Sequence, residues 1–372
     1  MSDGMLKKYY QFELGQVCSR LSSGKGIAAK EISEHGVYPV FGGNGLRGYS
    51  DRKNFEGQCA IIGRQGAFCG NVRFFSGEAY MTEHAVVVCA NEKSDIKYLS
   101  YLLGTLNLGR LSGQSAQPGL SVKTLSKQVI QLPDISKQRQ IAKVLSAFDE
   151  KIELNTQINH NLEQQAQVLF ERLLCSGNGE TTLDSIALIN PPRSLKKGCL
   201  ARCIDMAQLS TSQSFPQLGT IKPYSGGMKF KNGDTIFARI TPCLENGKTA
   251  YIDFLKEDEV AFGSTEYIVM SSRGGMPSPF FYCLARYKDF IEYATKRMNG
   301  SSGRQRVSAD AIAAFPIPFF SGDAMCEFGK TALPVFNVIK NNSIENLRLA
   351  ALRDTLLPRL MSGEIDVSEV EV

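Results

Sequence analysis

The chain is written twice, with an offset of 187 residues. Gly113, Ser115, Ser121 and Ile130 match Gly300, Ser302, Ser308 and Ile317. Ile152, Asn155, Asn159 and Leu162 match Ile339, Asn342, Asn346 and Leu349, and Leu169, Arg172 and Leu173 match Leu356, Arg359 and Leu360. No gap is needed across these stretches. A period this long means duplicated domains rather than a solenoid. Two copies in one chain imply approximate twofold symmetry, with two similar but non-identical surfaces offered to a partner.

At 372 residues the chain has room for two domains or more. Its net charge of +5 permits a polyanionic partner without requiring one. Local charge says more. Between Arg193 and Lys248 nine Lys/Arg stand against three Asp/Glu, and Lys296 to Arg306 holds four basic residues and no acid. The tail beyond Met361 is acidic (Glu364, Asp366, Glu369, Glu371) and is expected to fray. The ten cysteines form no CxxC pair. Cys199 and Cys203 have no second ligand pair at zinc spacing, so no metal site is expected. The N-terminus lacks an apolar signal core and no apolar run approaches a membrane span, which points to a cytoplasmic protein with reduced thiols.

Texture changes along the chain. Residues 12 to 132 carry short β-like runs, Cys59 to Ile62 and Ala85 to Ala90, between glycine-rich turns. Ile135 to Cys175 then contains neither Gly nor Pro. Ile141, Leu145, Phe148, Ile152, Asn155, Asn159, Leu162, Ala166, Leu169 and Leu173 alternate spacings of four and three, which is a heptad seam. Ser176-Gly177-Asn178-Gly179 ends it. A second globular stretch from 180 to 320 closes at Phe315-Pro316-Ile317-Pro318, and a second helix is expected over roughly Glu327 to Met361. The fold class expected is α+β. Two globules of mixed α/β structure with twisted sheet are separated by two long antiparallel coiled-coil helices related by the internal repeat. The domain boundaries expected are 1–132, helix 133–178, 179–321, helix 322–364 and an acidic tail 365–372.

A long amphipathic helix needs a partner for its apolar stripe. The equivalent helix of the other repeat is the simplest one, and a twofold-related pair runs antiparallel. If the pseudo-twofold passes between Asn155 and Asn159, Asn155 faces Asn346 and Asn159 faces Asn342. Polar residues in such a seam cost stability but set register. The alternative is that these asparagines face water. The seam is about 50 Å long at 1.5 Å per residue, a spacer for a partner with two separated sites.

Several motifs suggest catalysis. Phe41-Gly42-Gly43-Asn44-Gly45 matches the F-x-G-x-G of a methyl-donor loop, Gly43 to Gly48 matches G-x-G-x-x-G, and Asn190-Pro191-Pro192 resembles N-P-P-[FY]. Such a nucleotide loop must join a strand to a helix, and Tyr49-Ser50-Asp51 opens no helix. Arg193 stands where an aromatic would stack on a flipped base. Gly-Gly-Asn-Gly reads instead as a turn that needs positive φ. His35, His84 and His160 occur singly, with no nucleophile motif, no distinctive carboxylate pair and no Walker loop.

What remains is a set of loops with donors. Gly113-Gln114-Ser115-Ala116-Gln117 and Gly300-Ser301-Ser302-Gly303-Arg304-Gln305-Arg306 occupy the same place in the repeats, each ahead of a Leu/Val-Ser pair. Small residues admit a phosphate, and Gln and Arg reach adenine and guanine edges. Arg64 and Arg239 lie in comparable strand-like positions. Thr82-Glu83-His84 and Thr265-Glu266-Tyr267 also correspond. That Glu either accepts from a cytosine amino group or makes a hydrogen bond within the fold, the commoner case.

These features together resemble the specificity subunits of type I restriction–modification systems, the HsdS family. The resemblance rests on Tyr38-Pro39-Val40-Phe41-Gly42-Gly43-Asn44-Gly45-Leu46-Arg47-Gly48-Tyr49, on Gln131-Leu132-Pro133, and on Gln138-Arg139-Gln140-Ile141-Ala142-Lys143-Val144-Leu145 at the first helix entry. The second entry, Met325 to Val335, lacks the Gln-Arg-x-Ile pattern. The resemblance implies that each globule is a target recognition domain for one half of a bipartite duplex DNA site. It implies helices that act as spacer and dock for two methyltransferase subunits, with restriction/translocase subunits joining them. It implies no active site in this chain, adenine-N6 methylation by the partners, and S-adenosylmethionine, ATP and Mg on those partners rather than here.

The residues expected to meet DNA are Asn44, Arg47, Arg64, Gln114, Ser115, Gln117 and Lys123 in the first half. In the second they are Lys196, Lys197, Lys229, Arg239, Ser301, Ser302, Arg304, Gln305 and Arg306. The alternatives are a stand-alone N6-adenine methyltransferase and an assembly scaffold that reads no DNA.

Overall fold

The computed structural model describes residues 9–112, 119–301 and 303–367. It comprises two compact units. One combines the chain up to Lys151 with the chain from Leu349, and the other is Ile152–Arg348. Each long helix is thereby divided between the two.

In the first unit β1 (Tyr10–Glu13) precedes β2 (Cys18–Ser23), β3 (Tyr38–Gly42), β4 (Gly45–Ser50), β5 (Phe55–Gly63), β6 (Val72–Met81) and β7 (Ala85–Ala90). Helix α1 (Ile96–Thr105), the short α2 (Val122–Ser126) and β8 (Val129–Leu132) follow, and then α3 (Ile135–Ser176). Six strands form one sheet in the order β2-β7-β5-β6-β3-β4, with β3 and β6 parallel and the other pairs antiparallel. The unbroken apolar run in β5 has a simple cause: both faces are covered. Ala60 and Ile62 pack with Val86, Val88 and the helix residues Tyr98, Leu99 and Leu103. Cys59 and Ile61 point the other way, against Phe55, Ala79 and Met81. Ile141 and Leu145 of α3 and Leu360 near the chain's end join the first of these cores.

Gln138 gives the helix entry its physical meaning. Its side chain is 1% exposed. Nε2 donates to the carbonyls of Lys93 (3.1 Å) and Pro133 (2.9 Å), and Oε1 accepts from Asp95 N at 3.0 Å. One buried amide therefore satisfies three backbone groups and fastens α3 to the chain ahead of α1. Met325 stands at the equivalent place in the second repeat and packs against the second unit's core instead.

The second unit continues with β9 (Asn178–Thr182), β10 (Ala187–Ile189), β11 (Leu200–Ile204), β12 (Thr220–Pro223), β13 (Lys229–Phe230) and β14 (Thr235–Ala238). Next come β15 (Thr249–Tyr251), β16 (Ala261–Gly263), β17 (Tyr267–Ser272), α4 (Pro279–Arg286), α5 (Lys288–Lys296), α6 (Ala309–Ala313), β18 (Pro316–Phe319) and α7 (Gly322–Met361). Eight of its strands form two four-stranded sheets, β10-β17-β14-β15 and β12-β11-β16-β13, and β9 pairs with β18. The core is rich in aromatics: Phe170, Phe237, Phe280, Phe281, Phe290 and Phe336 are all buried.

The two units differ in their sheets but agree where the repeat is strongest. The antiparallel pairs β1–β8 and β9–β18 each lie just ahead of a long helix. Ser121 caps α2 by accepting from Thr124 N at 2.9 Å, and Ser308 caps α6 by accepting from Ala311 N at 3.1 Å. The repeated Leu/Val-Ser pair is thus a helix-start signal. Helix α7 begins at Gly322 rather than near Glu327, because the Ser321 hydroxyl caps it by accepting from Ala324 N.

Within the second unit α3 and α7 pair antiparallel through the asparagines. Asn155 Nδ2 donates to Asn346 Oδ1 at 2.9 Å, and Asn342 Nδ2 donates to Asn159 Oδ1 at 2.9 Å. Asn155 and Asn159 are buried, which excludes the reading in which they face water.

Candidate nucleic-acid interface

In the first unit three chain segments meet at one end of the large sheet. The β3–β4 hairpin turns through Gly43 and Asn44. The positive φ lies not on these two but on Gly45 (101°) and Gly48 (143°), where β4 leaves the turn. Gly45 has a second reason to be glycine: a Cβ there would lie 2.1 Å from Arg73 Nη1. Arg64 follows β5 directly. Its N–H donates to His84 O at 2.9 Å, and its carbonyl accepts from Leu120 N at 2.9 Å. Gly43 lies so close that a Cβ would sit 2.9 Å from the same His84 carbonyl. The hairpin tip, the end of β5 and the Thr82–His84 turn therefore converge. They gather Asn44, Arg47, Arg64 and Arg73, of which Asn44, Arg47 and Arg73 are exposed. Sequence reasoning misses Arg73, which lies at the start of β6 and reaches Gly45 of the hairpin only once the sheet has formed. Lys123 is exposed on α2. Gln114, Ser115 and Gln117 lie outside the described residues, as does Ser302.

The second unit repeats this construction with different chemistry. Arg239 follows β14, donates from N–H to Glu266 O at 2.9 Å and accepts from Val307 N at 3.0 Å. Arg306 grips the Glu266 carboxylate: Nε lies 2.9 Å from both oxygens and Nη2 is 2.7 Å from Oε1. Nη1 donates to Arg304 O at 3.0 Å. These hydrogen bonds, and then the charges of Arg306 and Arg239, hold the Glu266 carboxyl below the usual range. For Glu266 the fold-internal role applies, and Arg306 is drawn to it rather than left for an outside partner. Lys229 is similarly engaged, donating to Arg193 O at 3.0 Å over the Tyr224 ring. Lys196, Lys197, Ser301 and Arg304 are exposed, while Arg239 and Gln305 are half-buried.

The Asn190-Pro191-Pro192 stretch is structural. Asn190 Oδ1 accepts from Val269 N at 2.9 Å, and the following Arg193 places Nη2 at 2.7 and 2.6 Å from the two oxygens of Asp234. Phe41 to Gly45 is a hairpin, not a strand-to-helix loop. Among the described residues no group of three or more His, Cys, Asp or Glu is placed to hold a metal, and no helix is long and apolar enough to cross a membrane.

Comparison with known proteins follows the same lines. Residues 7–164 match the family model of the type I restriction modification DNA specificity domain. That stretch is therefore similar to the type I specificity domain over about two fifths of the chain. Among relatives, the EcoprrI specificity subunit of Escherichia coli is 41% identical over 140 residues, 37% of this chain and 35% of that one. The chain thus spans about a third of that relative. The HindI specificity subunit of Haemophilus influenzae is 23% identical across 67% of this chain and 71% of its own. The crystal structure of a type I restriction–modification S subunit from M. genitalium has the same fold, with a TM-score of 0.64 and 19% identity over 97% of this chain and 98% of that one. The fold of that S subunit is therefore shared over 97% of this chain, while the family-model match lies in the first half.

Proposed function

We propose that this chain reads duplex DNA as the specificity subunit of a type I restriction–modification complex, each unit reading one half of a bipartite target. One observation carries this reading. The same frame, an Arg after a strand, a Glu-bearing turn and a Ser-capped short helix, is built twice and dressed differently each time. Shared frames with unlike side chains suit two readers of unlike sequences. Exposed Arg47 and Arg73 in one unit and Lys196, Lys197 and Arg304 in the other supply the cations that phosphate contact needs.

Catalysis belongs to the partners in this reading: two methyltransferase subunits that modify adenine N6 and restriction subunits that translocate. S-adenosylmethionine, ATP and Mg are bound there. The long helices serve as spacer and dock. The test is selection of duplexes from a random library by the chain reconstituted with its methyltransferase subunits. An enriched bipartite sequence is expected, and the absence of any enrichment overturns the reading. Methyl-donor binding by the purified chain alone would favour a stand-alone methyltransferase instead.

A further inference from the structure

The two Glu-bearing turns occupy matching places but are not in the same state. Glu266 has its carboxylate taken by Arg306. Glu83 has no such clamp among the described residues. Among the described residues its inward-turned Oε2 has no hydrogen-bond partner, and Oε1 has His84 Nε2 at 3.3 Å. The Arg64 Nη1 nearby is aimed at the Glu83 backbone carbonyl, not the carboxylate. The side chain is nevertheless 43% exposed, so a donor arriving from outside reaches it by a small rotation.

The cause of the difference is one residue. Arg306 pairs with Ile240 as an isolated β-bridge, and the matching bridge of the first unit joins Gln65 to Gly119. Gly119 lies one repeat offset before Arg306. The next residues agree as well: Leu120 N donates to Arg64 O as Val307 N donates to Arg239 O. Where the second unit carries its own guanidinium, the first carries a hydrogen atom.

A carboxylate oxygen shut from water without a donor is costly, and the cost is lifted when a donor arrives. Glu83 stands beside the hairpin that gathers Arg47, Arg64 and Arg73. These cations would hold phosphates, and the carboxylate among them cannot, because like charges repel. What it can accept is an N–H presented between phosphates, and a base offers that in the major groove as an exocyclic amine. We infer that Glu83 is a specificity-determining residue of the first unit, accepting the amino group of a cytosine or adenine, while Glu266 is withdrawn from base reading by Arg306. This rests on the reading of the chain as a DNA specificity subunit.

The experiment uses the complex with its methyltransferase subunits, a random duplex library as probe, and the salt dependence of binding as a second readout. Glu83→Gln keeps size and removes charge. It is expected to relax or change the preference at one base pair of one half-site by about 5- to 150-fold, leaving the salt slope and the other half-site as they were. Gly119→Arg, which installs the missing clamp, is expected to lose preference at that same base pair. Unchanged preference in Glu83→Gln, or equal weakening on all duplexes, overturns the inference while a wild-type preference keeps the wider reading intact. A wild-type complex with no preferred sequence removes both.

Discussion

Asn155 Nδ2 donates to Asn346 Oδ1 across the α3–α7 pair, and the reciprocal pair Asn342–Asn159 lies one helical turn away. Glu345 adds a carboxylate that accepts from Asn155 at 2.7 Å, and Ser343 Oγ lies 3.2 Å from Asn159 Nδ2. Removing one member leaves buried polar groups unpaired. Asn155→Ala is therefore expected to cost about 1–3 kcal/mol in thermal or denaturant unfolding. Replacing Asn155 and Asn346 together by Leu should cost less than Asn155→Ala, because no amide is orphaned. If the pair sets register, engineered cysteines at off-register positions should cross-link in the double variant and not in the wild type.

Arg193 and Asp234 are 11% and 2% exposed at the side chain, and Ser271 and Lys231 N also donate to the carboxylate. Arg193→Ala strands a buried charge. A loss of about 3–5 kcal/mol in unfolding free energy is expected. A variant that melts like the wild type would mean that water replaces the guanidinium.

Arg304 and Arg306 separate a contact residue from a positioning one. Arg304 is exposed, and Arg304→Ala should lower the salt slope of DNA binding by about 1 without changing the melting temperature. Arg306→Ala releases Glu266. That pair is 38% and 25% exposed, so solvent screening keeps the stability loss small. Its larger expected effect is altered base preference in the second half-site alone, read by duplex selection.

Burial pushes the Asp253 carboxyl up to about 7, against the opposing charge of Lys340. The folded value exceeds the unfolded one, so the stabilising contribution is full below about pH 4 and is lost as pH rises toward about 7. Asp253→Asn should flatten the pH dependence of melting over that window and raise the melting temperature at about pH 8. Parallel pH curves for the two proteins would remove Asp253 as the cause.

One heptad inserted in each long helix adds about 10.5 Å. At about 3.4 Å per base pair, the gap between half-sites should lengthen by roughly 3 bp, read from methylated adenines in a host carrying the complete system. Unchanged spacing would mean that the helices do not set it.

Periodicity carried much of this protein into view. The repeat, the heptad seam and the Asn155–Asn346 pairing follow from spacing alone, because a helix converts sequence interval into a face and a twofold axis converts two faces into a contact. The Ser121 and Ser308 caps are local as well, since a cap needs only the residues that follow it. The tertiary structure decided the rest. Arg73, paired with Ile61 of β5, comes beside Gly45 of the hairpin only in the folded sheet. Arg193 meets Asp234, and Arg306 meets Glu266, across strands that no interval in the chain relates. Which of two matching glutamates is free depends on where Gly119 and Arg306 come to lie. That is a matter of strand register and side-chain reach, fixed only when the sheets have formed.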